Sequence, residues 1–306
     1  MKENMVTYDN ESLYQGLVAH GLIIPSGVPG VFGRNAVFEE VVTRFNNLVS
    51  QLAVEDGAQE LAFPPLINRN IIERVNYLES FPHLCGAVHS FFGDAIQALA
   101  LAERARSGQP WGELLGQTQL ALTPAICYPL YPSLAGVLPE QGRLISLMGW
   151  AYRQEPSPEP TRMQTFRMRE FVRAGTAEQV VAWRDNWLQR GLDLLASLEL
   201  PVKSDIASDP FFGRGGKMMK ANQREQKLKF ELLVPIISQT DPTAVASFNF
   251  HQDKFGSEFG IHMPDGSVAN TACLGFGLER ITMGLFKAHG FDPKQWPQSV
   301  RERLWS

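Results

Sequence analysis

Two strand-like stretches, 143–153 and 164–173, enclose the run Pro156-Ser157-Pro158-Glu159-Pro160 and read as a hairpin with a long connection. Further strands are expected at 60–63, near 228–237 and at 244–250, followed by a glycine-rich strand-to-helix passage at 270–288. Amphipathic helices are read over 36–49, where apolar residues recur at 38, 41/42, 45 and 48/49, and over 71–80 and 177–198. Strand pairs outnumber strand-helix-strand units. The chain is therefore expected to be α+β, an antiparallel sheet flanked by helices, rather than a doubly wound parallel sheet. The phosphate loops GxGxxG and GxxxxGK(S/T) are both absent, so any nucleotide must be held another way.

The 306 residues contain no linker, repeat or low-complexity tract, and one domain over 1–306 is expected. Hydrophobic residues make up 44% and charged residues 20%, which supplies a core and excludes disorder as the main state. A net charge of −4 argues against a nucleic-acid coat but leaves room for a local basic patch. No apolar run reaches the ~18 residues that span a bilayer, and the first residues lack a signal peptide's layout. Three widely spaced cysteines, Cys85, Cys127 and Cys273, fit a reducing compartment. A cytoplasmic protein without membrane attachment is expected.

Two constellations carry chemistry. In the first, Arg153 and Glu155 are placed on one strand face, and Arg162, Phe166 and Glu170, spaced by four, on one face of the next. An arginine fork suits phosphate, a phenyl ring stacks on a base, and a carboxylate accepts from an amine. In the second, Gly275-Phe276-Gly277-Leu278-Glu279-Arg280 opens an apolar helix, where a helix N-terminus and an arginine together favour an anion.

Together these resemble motifs 2 and 3 of class II aminoacyl-tRNA synthetases, about 150–171 and 273–286; motif 1 is matched more weakly at about 36–65. The resemblance covers roughly 30–290. It implies that Arg153 holds the α-phosphate of ATP, Glu155 reads the adenine amino group and Phe166 stacks on adenine. Arg162 and Arg280 would hold the β/γ end of a bent ATP. Mg²⁺ would bridge the phosphates with Glu231 as the candidate ligand, and Ser247, Asn249 and Gln252 would line the amino-acid pocket. A homodimer through 36–65 is implied as well.

Cys127 precedes motif 2, Glu170 ends it and Cys273 directly precedes motif 3. Two thiolates and a carboxylate on three converging strands would bind one Zn²⁺ per subunit and leave a position open. Cys85 and His89, four apart on a helix, are a rival pair. The Cys–Glu–Cys set is similar to that of the atypical seryl-tRNA synthetases of methanogens, where zinc takes the amino group of the amino acid. Only about 30 residues precede motif 1, so no separate tRNA-binding domain and no stable tRNA binding are expected.

That pattern resembles the amino acid–carrier protein ligases, which pass an activated small amino acid to a phosphopantetheine thiol. The resemblance implies glycine or alanine as substrate and an acidic carrier protein as partner. The tract 214–229, with six basic residues against one acid, offers Lys217, Lys220 and Arg224 for docking. Two alternatives are a tRNA-charging or tRNA-modifying synthetase paralogue, and a non-catalytic regulatory subunit.

Overall fold

The computed structural model describes residues 10–306. Its centre is a seven-stranded sheet in the order Lys203–Ile206, Lys229–Val234, Thr243–Gln252, Asn270–Gly277, Thr165–Gly175, Arg143–Tyr152 and Gln59–Leu61. Every neighbouring pair is antiparallel except the last, so the expected α+β architecture is the one observed. The hairpin read from 143–173 is its longest pairing, running from Arg143 opposite Ala174 to Tyr152 opposite Thr165.

One face of this sheet is covered by helices Ala36–Ala53, Ala177–Ser197 and Leu278–His289. Phe171, Phe248, Leu274 and Phe276 point to them, and Phe171 stacks on Trp187 with ring centroids 5.1 Å apart. The Ala36–Ala53 helix forms because its apolar positions share one stripe; Asn35 caps its start by accepting from the Phe38 amide at 2.9 Å. Helix Ala177–Ser197 begins in a Thr176/Gln179 capping box.

The other face is half covered. Ile145, Leu147, Val172 and Ala174 pack under the 3-10 segment Tyr128–Leu134 and helix Lys254–Phe259. A smaller sheet, Leu66–Asn68, Gly116–Leu122 and Ala87–Ser90, flanks it. Neither that sheet nor helix Ala95–Arg106 is expected from the pattern, because their strands alternate poorly and the helix has no buried residue. The helix read over 71–80 is two, Arg69–Arg74 and Tyr77–Ser80, broken where Asn76 takes a left-handed φ of 57°. Among the described residues, no helix is long and apolar enough to cross a membrane.

Candidate active site

Side chains alternate across a strand, so one parity of each strand faces the helices and the other the half-covered side. Phe166, Met168 and Glu170 therefore share a face, as do Cys273, Gly275 and Gly277, Ser247 and Asn249, and Lys229 and Glu231. The register then sets these residues in two rows. Glu231 stands opposite Ser247, Ser247 opposite Gly275 and Gly275 opposite Glu170. In the next row Lys229 faces Asn249, and Asn249 faces Cys273. A cavity of about 490 Å³ lies over both rows, walled by Phe81, Phe211 and Met219. Gly275 keeps its floor open: a Cβ there would meet Glu170 Cγ at 3.2 Å.

At one end the cavity is acidic and thiol-lined. Cys127, Glu170 and Cys273 are all buried, with Cys127 beside both of the others. Cys127 is not on a strand; it caps the Tyr128–Leu134 segment, which dips toward the sheet. Its thiol is held well above the usual range by its hydrogen bond with Cys273, then by burial and the Glu170 charge. Cys273 is pushed the other way, first by that same bond and then by His251 and Asn249 against the pull of burial. His251 Nε2 and Asn249 Nδ2 each lie 3.4 Å from Cys273 Sγ. Burial, and then the Cys273 charge, lift the Glu170 carboxyl to about 8, and its Oε2 has no hydrogen-bond partner. Among the described residues, no group of three or more His, Cys, Asp or Glu is spaced to enclose a metal ion. The rival pair is not on a helix: Cys85 follows a turn and the exposed His89 sits on strand Ala87–Ser90, roughly 13 Å of extended chain away.

The opposite end is cationic. Arg153, Phe166 and Arg280 line it, with the Arg153 guanidinium 5.5 Å from the Phe166 ring centre. Arg280 is fixed by donating to the Thr161 carbonyl from Nε and to the Ala244 carbonyl from a terminal nitrogen, both at 2.9 Å. Burial and the nearby charge of Arg153 lower its affinity for a proton, as expected of two cations that face one space. Arg153 and Glu155 do not continue the first strand, contrary to the expected shared strand face. The first strand ends at Tyr152, and Arg153 and Glu155 lie in a tight turn closed by Glu155 N–H to the Arg153 carbonyl at 2.7 Å. Arg162 precedes the second strand and is half exposed, pairing with Glu159 at 3.1 Å and Glu155 at 3.6 Å. Proline-rich chain cannot continue a ladder, so these residues form a rim, not a strand face.

Lys229, Asp209 and Glu231 form the third side. The Lys229 ammonium lies 2.6 Å from Asp209 and 2.9 Å from Glu231. Burial alone would lower it, but the two carboxylates outweigh burial and raise it. Asp209 also grips helix Gly213–Glu225: its Oδ2 accepts from Gln223 at 2.8 Å, and its amide donates back to Gln223 at 2.7 Å. On that helix Lys217 and Arg224 are exposed and Lys220 is half-buried, while Gln252 joins the cavity wall below.

Sequence reasoning passed over His251, Asp209 and the pairing of Lys229. The signal for Lys229 was its position two residues before Glu231 on a strand. Asp209 had none, since a loop brings it in.

No family model matches this chain. It is 43% identical over 289 residues to amino acid–acyl-carrier-protein ligase 2 of Bradyrhizobium diazoefficiens, covering 94% of this chain and 86% of that one. It is also 27% identical over 300 residues to the type-2 serine–tRNA ligase of Methanopyrus kandleri, covering 88% of this chain and 55% of the relative. Among solved structures, M. kandleri seryl-tRNA synthetase in complex with A. aeolicus tRNASec superposes with a TM-score of 0.82 at 23% identity. That alignment covers 99% of this chain and 62% of the synthetase. The fold is that of a class II synthetase core.

Proposed function

Because the chain belongs to the amino acid–acyl-carrier-protein ligase family, we propose that it activates a small amino acid with ATP and passes it to the phosphopantetheine thiol of a carrier protein. What carries this reading is one cavity over the sheet with Arg153, Phe166 and Arg280 at one end and Glu170, Cys127 and Cys273 at the other. ATP takes the cationic end. Phe166 stacks on adenine while Glu155 accepts from its amino group. Arg153 neutralises the α-phosphate, and Arg280 and Arg162 hold the β and γ groups. The amino acid takes the other end, its carboxylate oxygen attacking the α-phosphorus as pyrophosphate leaves. The carrier thiol then attacks the adenylate carbonyl, forming the thioester and releasing AMP. Positioning and charge neutralisation supply most of the rate.

The thiol end fits Zn²⁺ in donor chemistry: two buried thiols, one of them driven toward thiolate, and a carboxylate whose Oε2 is orphaned. One ion bound by Cys127, Glu170 and Cys273 would hold the substrate amine neutral and fixed. The substrate side chain then lies over Gly275 between Glu170 and Ser247, two strand spacings or roughly 10 Å apart. With Asn249 beside it, that space favours glycine or alanine. Mg²⁺ would supply charge neutralisation at the phosphates; Glu231, its candidate ligand, is already paired with the Lys229 ammonium, with which the ion would have to compete.

An acidic carrier docks on Lys217, Lys220 and Arg224, which share one helix face at i, i+3 and i+7. The Lys217→Glu, Lys220→Glu, Arg224→Glu enzyme should keep its rate of adenylate formation. Its transfer to carrier should fall by on the order of tenfold or more, with the loss in the salt-sensitive association step. Equal loss in both steps would place the carrier elsewhere. The protein works in the cytoplasm as a homodimer through 36–65, where Gln59–Leu61 is an exposed sheet edge.

The direct test is ATP–pyrophosphate exchange with each of the twenty amino acids, with and without chelator. Exchange with one small amino acid, lost on chelation, is expected. Carrier protein and tRNA added in turn then identify the acceptor; charging of tRNA would favour the synthetase reading to which the M. kandleri likeness also belongs. No exchange with any amino acid would sink the enzyme reading.

A further inference from the structure

The geometry points to Arg167 and Glu279 as positioning residues that lock the nucleotide-binding wall of the cavity, a role that rests on ATP taking the Phe166–Arg280 end. Neither lines the cavity. Each is the chain neighbour of a residue that does: Arg167 follows Phe166, and Glu279 precedes Arg280.

Strand Asn270–Gly277 stops pairing at Gly277, opposite Met168, and turns into helix Leu278–His289. The next outward amide of the neighbouring strand, that of Arg167, would be left without a partner. Glu279 replaces the missing ladder. Its Oε2 accepts the Arg167 amide at 2.7 Å, and its Oε1 accepts Arg167 Nε at 2.7 Å. The far edge of the same guanidinium donates twice to Glu39 on helix Ala36–Ala53, at 2.6 and 2.8 Å. The Arg167 guanidinium also lies 5.0 Å from the Trp150 ring centre. Arg34 stands 3.7 Å from Glu279 and 5.4 Å from the same ring.

Glu279 is fully buried and Arg167 nearly so. A buried ion pair is weak evidence for net stability, because desolvation offsets the attraction. What this pair does instead is set geometry. A bidentate fork fixes both distance and plane, so the backbone at 167 and the first turn of the 278–289 helix cannot move independently. The base-stacking ring and the phosphate-binding arginine are thereby held at one separation, and Glu39 ties that separation to the Ala36–Ala53 helix.

Arg167→Met keeps the aliphatic stem but removes the fork to Glu39 and the Nε bond to Glu279, leaving only the main-chain amide bond to Glu279. Since a misplacement of ~1 Å costs up to about 10²-fold, its KM for ATP in pyrophosphate exchange should rise about tenfold or more, with the amino-acid KM within about twofold of wild type. Arg167→Lys, which keeps the charge without the fork, should recover only part of the loss. Unchanged ATP kinetics in folded Arg167→Met, or equal rises in both KM values with a lower Tm, would overturn the assignment. If Arg167→Met does not fold, Glu39→Ala removes only the outer fork at a half-exposed helix position and should raise the ATP KM alone, by about threefold; no rise would refute the role. Titration with a non-hydrolysable ATP analogue separates this from the parent reading. Wild-type protein that fails to bind the analogue refutes the nucleotide site itself.

Discussion

Arg280→Met is expected to lose about 10²–10³-fold of amino-acid-dependent pyrophosphate exchange, the usual scale for removing one preorganised group that meets transition-state charge. Arg280 and Arg153 face the same space, and the Arg153 charge weakens Arg280's hold on its proton beyond what burial does. Two cations held together in this way are relieved by an anion between them. The guanidinium is already aimed, because the Thr161 and Ala244 carbonyls take two of its N–H groups. Removing it leaves those carbonyls to find other partners, at about 1–3 kcal/mol for each that stays buried and unpaired. A moderate drop in Tm should therefore accompany the kinetic loss. Arg280→Lys restores charge but not the fork, so it should recover a minor part of the rate. Exchange at the wild-type level in a folded Arg280→Met protein would remove Arg280 from the phosphate site.

On the proposed zinc site, Cys273→Ser should lose metal and pyrophosphate exchange together, and Cys127→Ser should do the same. Serine is nearly isosteric but does not ionise at neutral pH, so the donor that His251 and Asn249 help drive toward thiolate disappears. Metal content by plasma emission and exchange activity are measured on the same preparation. Zinc retained in both variants would show that the ion, if bound, sits elsewhere. Zinc lost with exchange intact would separate the metal from the reaction. Tm belongs in the comparison, because Cys273 is buried in the sheet beside Val172 and Asn249.

Much of the fold was legible in the chain. The hairpin, the Ala36–Ala53 and Ala177–Ser197 helices and the Gly277-to-helix passage follow from hydrophobic period and glycine placement, which act within a few residues. Loops were less legible. Alternation predicts Arg153, Glu155 and Arg162 as strand residues, but the prolines beside them put them on a rim. The Cys85–His89 spacing suits a helix only if a helix is there, and the chain is extended instead. Helix Ala95–Arg106 has an exposed apolar row including Ile96 and Leu99, so no buried stripe marked it.

The residue types at the two ends of the site, arginine and phenylalanine against thiol and carboxylate, were set by the sequence alone, because side-chain chemistry travels with the residue. So was the face each strand residue takes, since alternation has a period of two. Only the tertiary structure decided which residues stand side by side. Register places Glu170 across Gly275 from Ser247, a 3-10 turn lowers Cys127 beside Cys273, and a loop brings Asp209 to Lys229. These contacts join segments tens of residues apart. They depend on packing and ladder register across the whole sheet, which no local run of sequence encodes.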